Sequence, residues 1–169
     1  MVFKSVILTL GIFALISPLR AQKQNPSNDG ALDPVVNKQN LYREDADAKK
    51  EIEDTLNRAR AESKIVMLIF GGNWCYDCHV LDQALHEGEA GKIVKQNFLL
   101  VHVDIGEGNK NLDLLTMYKI PLEKGVPAVA ILGGDGKLLY SSGEGEFESA
   151  RSMLKKDLMA FLEKWKRKR

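Results

Sequence analysis

The sequence predicts an α/β domain of three layers, in which helices cover a central sheet. Two segments of strand length, residues 65–70 and 98–104, are apolar almost throughout, which is typical of strands that are buried on both faces. The glycine-rich segment 133–136 lies between two strand-like runs and predicts a hairpin. Helical apolar spacing on either side of these strands completes the α/β pattern.

The predicted helices and strands alternate before a hairpin and a final helix. In chain order they are helix 45–63, strand 65–70, a helix that follows the loop 71–73, strand 98–104, helix 111–118, strands 126–132 and 137–140, and helix 147–168. Asp45 or Asp47 is suited to cap the first helix, because a short carboxylate side chain can accept hydrogen bonds from the backbone of the first turn.

Two segments precede the predicted domain 41–169. Residues 1–21 contain the basic Lys4 and an apolar stretch over 6–16, which is the pattern of a secretory signal peptide. The apolar stretch is short for a membrane span, although an uncleaved anchor is the alternative. Residues 22–40 are polar and contain two prolines and a glycine, so they predict a flexible linker. We therefore expect an exported protein, periplasmic or secreted.

The composition excludes some classes of function. The net charge of +1 gives no indication of nucleic-acid binding. The basic run 164–169 ends the last predicted helix, where cations suit the negative end of the helix dipole, so we interpret it as a solvated tail. Two cysteines are too few for an exported scaffold held together by disulfides.

Those two cysteines, Cys75 and Cys78, form a Cys-x-x-Cys motif shortly after the first predicted strand. A thiol attacks a disulfide only as a thiolate, and a second thiol three residues on can resolve the mixed disulfide. Cys75 is expected at the first turn of a helix, where unpaired N–H groups and the helix dipole favour negative charge. The motif therefore predicts a redox-active pair.

Three other interpretations of the pair are open. His79 completes a Cys-x-x-Cys-His pattern, which is that of c-type heme attachment. A closed zinc site is disfavoured because it needs four ligands and there is no second cysteine pair. An inert structural disulfide is disfavoured because so short a loop constrains little of the unfolded chain.

The chain resembles the thioredoxin-fold family over residues 42–165. The residues that carry the resemblance are Phe70, Trp74, Cys75, Cys78 and the segment 125–127. The chain is most similar to exported bacterial thioredoxin-like proteins and to the C-terminal domains of periplasmic disulfide reductases. This resemblance implies a thioredoxin fold with a central mixed β-sheet flanked by helices, here with an N-terminal helical extension.

The resemblance also implies a substrate-binding surface. Pro127 would be a cis-proline facing the cysteines, and the backbone of Val126 would pair with a bound substrate strand. Trp74 would shield the disulfide and present a flat apolar surface to partners. Tyr76 and Asp77 occupy the positions between the cysteines that tune the redox potential. The negative charge of Asp77 should oppose thiolate formation, which favours a reductase or an isomerase.

One position departs from the family pattern. Many thioredoxins carry a buried acidic residue in the strand before the motif, which accepts the proton of the second cysteine, and Ile69 stands there in this chain. Other candidates for the proton acceptor are Asp104, His102, His79 and Glu123. None is favoured, so resolution is expected to be slow or to use a base from the partner. Residues 121–124 resemble an insertion that could shape partner choice.

We therefore predict an exported thiol-disulfide oxidoreductase with Cys75 as nucleophile and Cys78 as resolving thiol. Its substrates would be cysteine-containing proteins, and a redox partner would recharge the pair. No metal or organic cofactor is expected, and the protein should be a monomer. The alternatives are a c-type heme protein and a thioredoxin-fold binding module without redox turnover.

Overall fold

The computed structural model describes residues 30–35 and 39–167, which build a four-stranded mixed sheet with helices on both faces. The strands are β1 (Ile65–Gly71), β2 (Phe98–Asp104), β3 (Ala128–Leu132) and β4 (Leu138–Ser141), in the spatial order β2-β1-β3-β4. β1 pairs in parallel with β2 and antiparallel with β3, which pairs antiparallel with β4. The predicted α/β class with a central mixed sheet is confirmed.

The helices are α1 (Ala48–Glu62), α2 (Tyr76–His86), α3 (Gly88–Asn97), α4 (Leu112–Met117) and α5 (Lys155–Trp165), with short 3-10 turns at Leu122–Lys124 and Ala150–Ser152. α1 corresponds to the predicted helix 45–63. Of the two proposed caps, Asp47 serves, since its side chain accepts a hydrogen bond from the backbone N–H of Lys50.

Alternate residues of β1 point into two separate cores, which explains why the whole strand is apolar. Val66, Leu68 and Phe70 pack with α1 and α4 on one face of the sheet. Met67 and Ile69 pack with α2, α3 and α5 on the other face. Burial on both faces agrees with the position of β1 inside the sheet, between β2 and β3.

The predicted helix 147–168 is wrong at its beginning. A 3-10 turn covers Ala150–Ser152, the backbone at Met153 and Leu154 is extended, and α5 begins only at Lys155. The extended residues pair with residues 30–32 in a short antiparallel bridge between Ala31 and Leu154. Tertiary hydrogen bonds therefore replace the first helical turns that the apolar spacing predicted.

This bridge involves part of the predicted linker. The backbone N–H of Leu32 donates to the carbonyl of Met153 at 2.9 Å, and the side chain of Leu32 is buried. The predicted signal segment 1–21 lies outside the described residues, as do 22–29, 36–38 and 168–169. The boundaries at 21 and 40 stay predictions.

Within residues 30–35 and 39–167, each helix is too short or too polar to cross a lipid bilayer.

Candidate functional site

The cysteine pair lies after the end of β1, at the start of α2. Cys75 is the N-cap of α2, and its Sγ accepts a hydrogen bond from the backbone N–H of Cys78 at 3.1 Å. The two cysteines form a disulfide and both side chains are buried. When the pair is reduced, the same N–H and the N-terminus of α2 would stabilise negative charge on Cys75, as predicted for the attacking thiol.

The predicted cis-proline is present beside this pair. The peptide bond between Val126 and Pro127 is cis, and it lies just before β3. The Val126 carbonyl oxygen is 3.7 Å from Cys75 Sγ. The N-terminal end of β3 therefore meets the N-terminus of α2, although the two are far apart in sequence. The role of Val126 and Pro127 in binding a substrate strand stays a prediction.

Trp74 lies at the surface next to the disulfide. Its side chain is 51% exposed, which argues against a purely structural role in the core. The indole Nε1 donates a hydrogen bond to the carbonyl of Gly106 at 2.8 Å. This bond orients the ring, and about half of the residue stays exposed to solvent. The role of Trp74 in binding a partner stays a prediction.

The negative charge of Asp77 is paired with Arg151 in the structure. Its buried carboxylate accepts hydrogen bonds from the backbone N–H of Arg151 at 2.8 Å and from the guanidinium Nε at 3.0 Å. Burial by itself would raise the pKa of Asp77, but the hydrogen bonds and charge of Arg151 lower it overall. The charge beside Cys75 is therefore balanced, and its effect on the redox potential stays a prediction.

Tyr76 is also in contact with Arg151. The guanidinium carbon of Arg151 lies 5.1 Å from the centre of the Tyr76 ring, within the range of a cation–π interaction. Both residues between the cysteines thus contact one arginine from the turn before α5. The proposed tuning role of Tyr76 stays a prediction.

Ile69 occupies the position in β1 where many thioredoxins have a buried acidic residue. Ile69 is fully buried in the core between the sheet and α2. The side chains of the four alternative proton acceptors have other partners or positions, and within the described part of the chain none of these side chains hydrogen-bonds to a cysteine sulfur. His79 Nε2 lies 2.9 Å from the Asn73 carbonyl oxygen, and the Asp104 carboxylate accepts a hydrogen bond from Lys110 Nζ at 2.8 Å. His102 Nε2 lies 2.9 Å from the Asp82 carboxylate. Glu123 is in the 3-10 turn Leu122–Lys124.

A buried tyrosine that sequence reasoning missed lies on the inner side of the disulfide. Tyr42 forms a small cluster with Cys75 and Cys78. Burial, and then the negative charges of Asp82 and Asp104, raise the pKa of the Tyr42 hydroxyl above its usual range. Tyr42 precedes α1 and is distant from the motif in sequence, so no local pattern points to it. The same holds for Arg151.

Comparison with known proteins identifies the family. A family model described as thioredoxin-like matches residues 47–134. The chain is 30% identical over 119 residues to the thiol:disulfide interchange protein DsbD of Pseudomonas fluorescens, which covers 68% of this chain but only 18% of that protein. The crystal structure of a disulphide isomerase from Xylella fastidiosa matches with a TM-score of 0.69 and 33% identity, covering 77% of this chain and 98% of the other.

The chain therefore belongs to the thioredoxin-like family, and the predicted thioredoxin fold is confirmed. The family, the related structure and the disulfide of the Cys-x-x-Cys motif together support thiol-disulfide oxidoreductase activity. They favour the redox interpretation over heme attachment, zinc binding and an inert disulfide. His79 in particular directs its Nε2 to the carbonyl of Asn73, not toward the cysteines.

Proposed function

We propose that this protein is an exported thiol-disulfide oxidoreductase that acts on cysteine-containing proteins as a reductase or isomerase. The observation that carries the proposal is the position of Cys75. Its sulfur lies at the N-terminus of α2, 3.7 Å from the backbone carbonyl of Val126 and next to the cis bond at Pro127. A nucleophilic sulfur and a substrate-binding backbone group thus share one small surface.

The proposed reaction begins with the reduced pair. The Cys75 thiolate attacks a substrate disulfide, forms a mixed disulfide and releases one substrate sulfur as a thiolate, which takes up a proton. Cys78 then attacks Cys75 Sγ, which restores the protein disulfide and releases the second substrate thiol. Two electrons pass from the cysteine pair to the substrate. An isomerase would instead return the mixed disulfide to another cysteine of the same substrate.

Substrate binding would use the backbone more than specific side chains. An extended peptide that pairs with the backbone at Val126 would bring its sulfur to Cys75. The exposed face of Trp74 would cover apolar residues next to the substrate cysteine. Recognition of this kind is tolerant of sequence, which suits an enzyme that acts on many proteins.

Export and a redox partner complete the proposal. The pattern in residues 1–21 supports export by a signal peptide, and outside the cytosol an isolated cysteine pair needs a donor that reduces it after each cycle. The relative named for thiol:disulfide interchange supports the same type of reaction. We expect the protein to act as a monomer.

A redox titration combined with an insulin-reduction assay tests the proposed activity. Equilibration with glutathione or dithiothreitol should give one two-electron transition, and the reduced protein should accelerate insulin reduction. Cys75→Ser should abolish both, whereas the matched change Ser149→Ala on an exposed surface should not. A cysteine pair that never cycles, or a Cys75→Ser variant that keeps its biological role, would contradict the enzyme and favour a binding module. Heme absorbance in the exported protein would favour the cytochrome.

A further inference from the structure

Tyr42 is a buried residue whose hydroxyl makes no hydrogen bond within the described part of the chain. Its side chain is only 1% exposed, and the hydroxyl oxygen has no hydrogen-bond partner among residues 30–35 and 39–167. Leaving a buried hydroxyl without a partner costs stability. Tyr42 also lies outside residues 47–134, which the thioredoxin-like family model covers. The family model therefore assigns no role to Tyr42, and the groups around its hydroxyl in this chain must be considered.

The Tyr42 hydroxyl is close to the sulfur of Cys78. Gly71, the last residue of β1, separates the two groups. A Cβ built on Gly71 would stand 2.5 Å from Cys78 Sγ and also 2.5 Å from the Tyr42 hydroxyl oxygen. The Tyr42 hydroxyl oxygen and Cys78 Sγ therefore lie at most twice 2.5 Å from each other. The absence of a side chain on Gly71 allows this approach.

Hydrogen bonds hold Tyr42 against the loop before the cysteines. The backbone N–H of Tyr42 donates to Asn73 Oδ1 at 3.0 Å, and Asn73 Nδ2 donates to the Tyr42 carbonyl at 2.8 Å. The ring also makes an edge contact with His102, at a centroid distance of 5.2 Å. The tyrosine is thus fixed by both its backbone and its ring, so its hydroxyl stays near the disulfide.

The proposed reaction requires a charged sulfur at the position that Tyr42 approaches. Cys78 is fully buried, and burial opposes the formation of a thiolate. The nearby position where an acidic residue is common holds the apolar Ile69. A hydrogen bond to the charged form of a thiol favours that form. A donor beside Cys78 would therefore make resolution of the mixed disulfide easier.

We propose that the Tyr42 hydroxyl donates a hydrogen bond to Cys78 Sγ when this sulfur becomes a thiolate, and that it thereby promotes resolution of the mixed disulfide. This inference rests on the proposed function. In the step, Cys78 gives its proton to solvent, its sulfur bonds to Cys75 Sγ, and the bond between Cys75 and the substrate sulfur breaks. The substrate sulfur leaves as a thiolate and takes a proton from solvent. Tyr42 keeps its own proton throughout.

The surroundings of the hydroxyl favour donation over proton uptake or loss. Burial and the carboxylates of Asp82 and Asp104 raise the pKa of Tyr42, so the hydroxyl stays protonated at neutral pH. His102, which packs against the ring, lies 2.9 Å from Asp82. Burial and the neighbouring carboxylates thus keep the Tyr42 hydroxyl protonated, so it can donate a hydrogen bond to a thiolate.

The pKa of the Cys78 thiol provides a test that does not depend on turnover. The thiol would be titrated by its ultraviolet thiolate absorbance in Cys75→Ser, with and without Tyr42→Phe, which removes the hydroxyl and keeps the ring. We expect Tyr42→Phe to raise the pKa of Cys78 by about one unit, or tenfold in the dissociation constant. The control is Tyr118→Phe, since Tyr118 packs in the core on the other face of the sheet. Equal pKa values with and without the Tyr42 hydroxyl would overturn the proposal.

Single-turnover kinetics separate this inference from the proposed function. With the wild-type cysteines, formation of the mixed disulfide at Cys75 should be unchanged in Tyr42→Phe, whereas its resolution should slow by about tenfold. Tyr118→Phe should resolve at the wild-type rate. If wild type and Tyr42→Phe resolve equally fast, Tyr42 has no such role and the enzyme stands. If wild type forms no mixed disulfide at all, the proposed function itself fails, and the Cys78 titration still decides whether Tyr42 contacts the sulfur.

Discussion

The carboxylate of Asp77, between the two cysteines, is bound by both the backbone and the side chain of Arg151, 74 residues further along the chain. This contact joins the N-terminus of α2 to the turn before α5. Asp77 is nearly enclosed, whereas the side chain of Arg151 is largely exposed. The pair therefore fixes the first turn of the active-site helix from the outside of the molecule.

Asp77→Asn should destabilise the protein at neutral pH and matter less in acid. Because the pKa of Asp77 is lower in the folded protein than its ordinary value of 3.8, the charged carboxylate stabilises the fold at neutral pH. That contribution is lost as the pH falls below 3.8 through the folded pKa. We expect a loss of about 1–3 kcal/mol near pH 7, measured by urea unfolding across a pH series.

The control for this series is Asp54→Asn, which removes an exposed carboxylate that is paired with Lys50 in α1. Its effect should be small at every pH, since exposed ion pairs contribute little. If the difference in the free energy of unfolding between Asp77→Asn and wild type stayed constant from neutral pH to acid, the charged carboxylate of Asp77 would not be the group that stabilises the fold.

Gly71→Ala should destabilise the protein and disturb the cysteine pair. Its Cβ would stand 2.5 Å from both Cys78 Sγ and the Tyr42 hydroxyl, so these groups must move. Overpacking of this kind costs about 1–3 kcal/mol, which thermal unfolding would detect. The matched control is Gly143→Ala, where a Cβ meets nothing within 4 Å. Equal melting temperatures for the two variants would argue against the close contact at Gly71.

Trp74→Ala should weaken the binding of protein substrates without removing the chemistry. The exposed indole provides apolar surface next to Cys75, so the KM for a protein disulfide should rise about fivefold to tenfold, which corresponds to 1–1.4 kcal/mol of lost contact. The rate with a small disulfide such as oxidised glutathione should change little. Leu139→Ala is the control, because Leu139 is an apolar residue of similar exposure on β4. An unchanged KM for the protein substrate would remove Trp74 from the binding surface.

Cys78→Ser should trap substrates covalently, whereas Cys75→Ser should not. Without the resolving thiol, a mixed disulfide formed at Cys75 persists, because no neighbouring sulfur attacks it. The adducts would be counted by mass spectrometry under non-reducing conditions, and dithiothreitol should release them. If Cys75→Ser collected adducts and Cys78→Ser did not, the assignment of nucleophile and resolving thiol would be reversed.

The sequence predicted those parts of the fold that depend on local pattern. β1 and β2 lie where continuous apolar runs placed them, because a strand that is covered on both faces needs no polar alternation. The position of the cysteines at the start of α2 followed from the strand, the loop and the helix that come in order. The cis bond before Pro127 followed from the family resemblance.

The parts that the sequence did not predict depend on contacts between distant segments. The sequence offered no partner for Asp77, since Arg151 lies 74 residues away, in a turn that the apolar spacing assigned to a helix. The start of α5 was misplaced because Leu154 pairs with Ala31, and no short window contains both. Tyr42 escaped notice for the same reason, because only the folded chain brings it beneath Gly71 to Cys78.

The short bridge between Ala31 and Leu154 gives the domain a defined response to tension. A pull on the chain from upstream of residue 30 would reach this bridge before it reached the sheet, since residues 30–32 are held by few backbone hydrogen bonds. Forced extension should therefore release the N-terminal segment first, with β1 and the cysteine pair yielding at higher load.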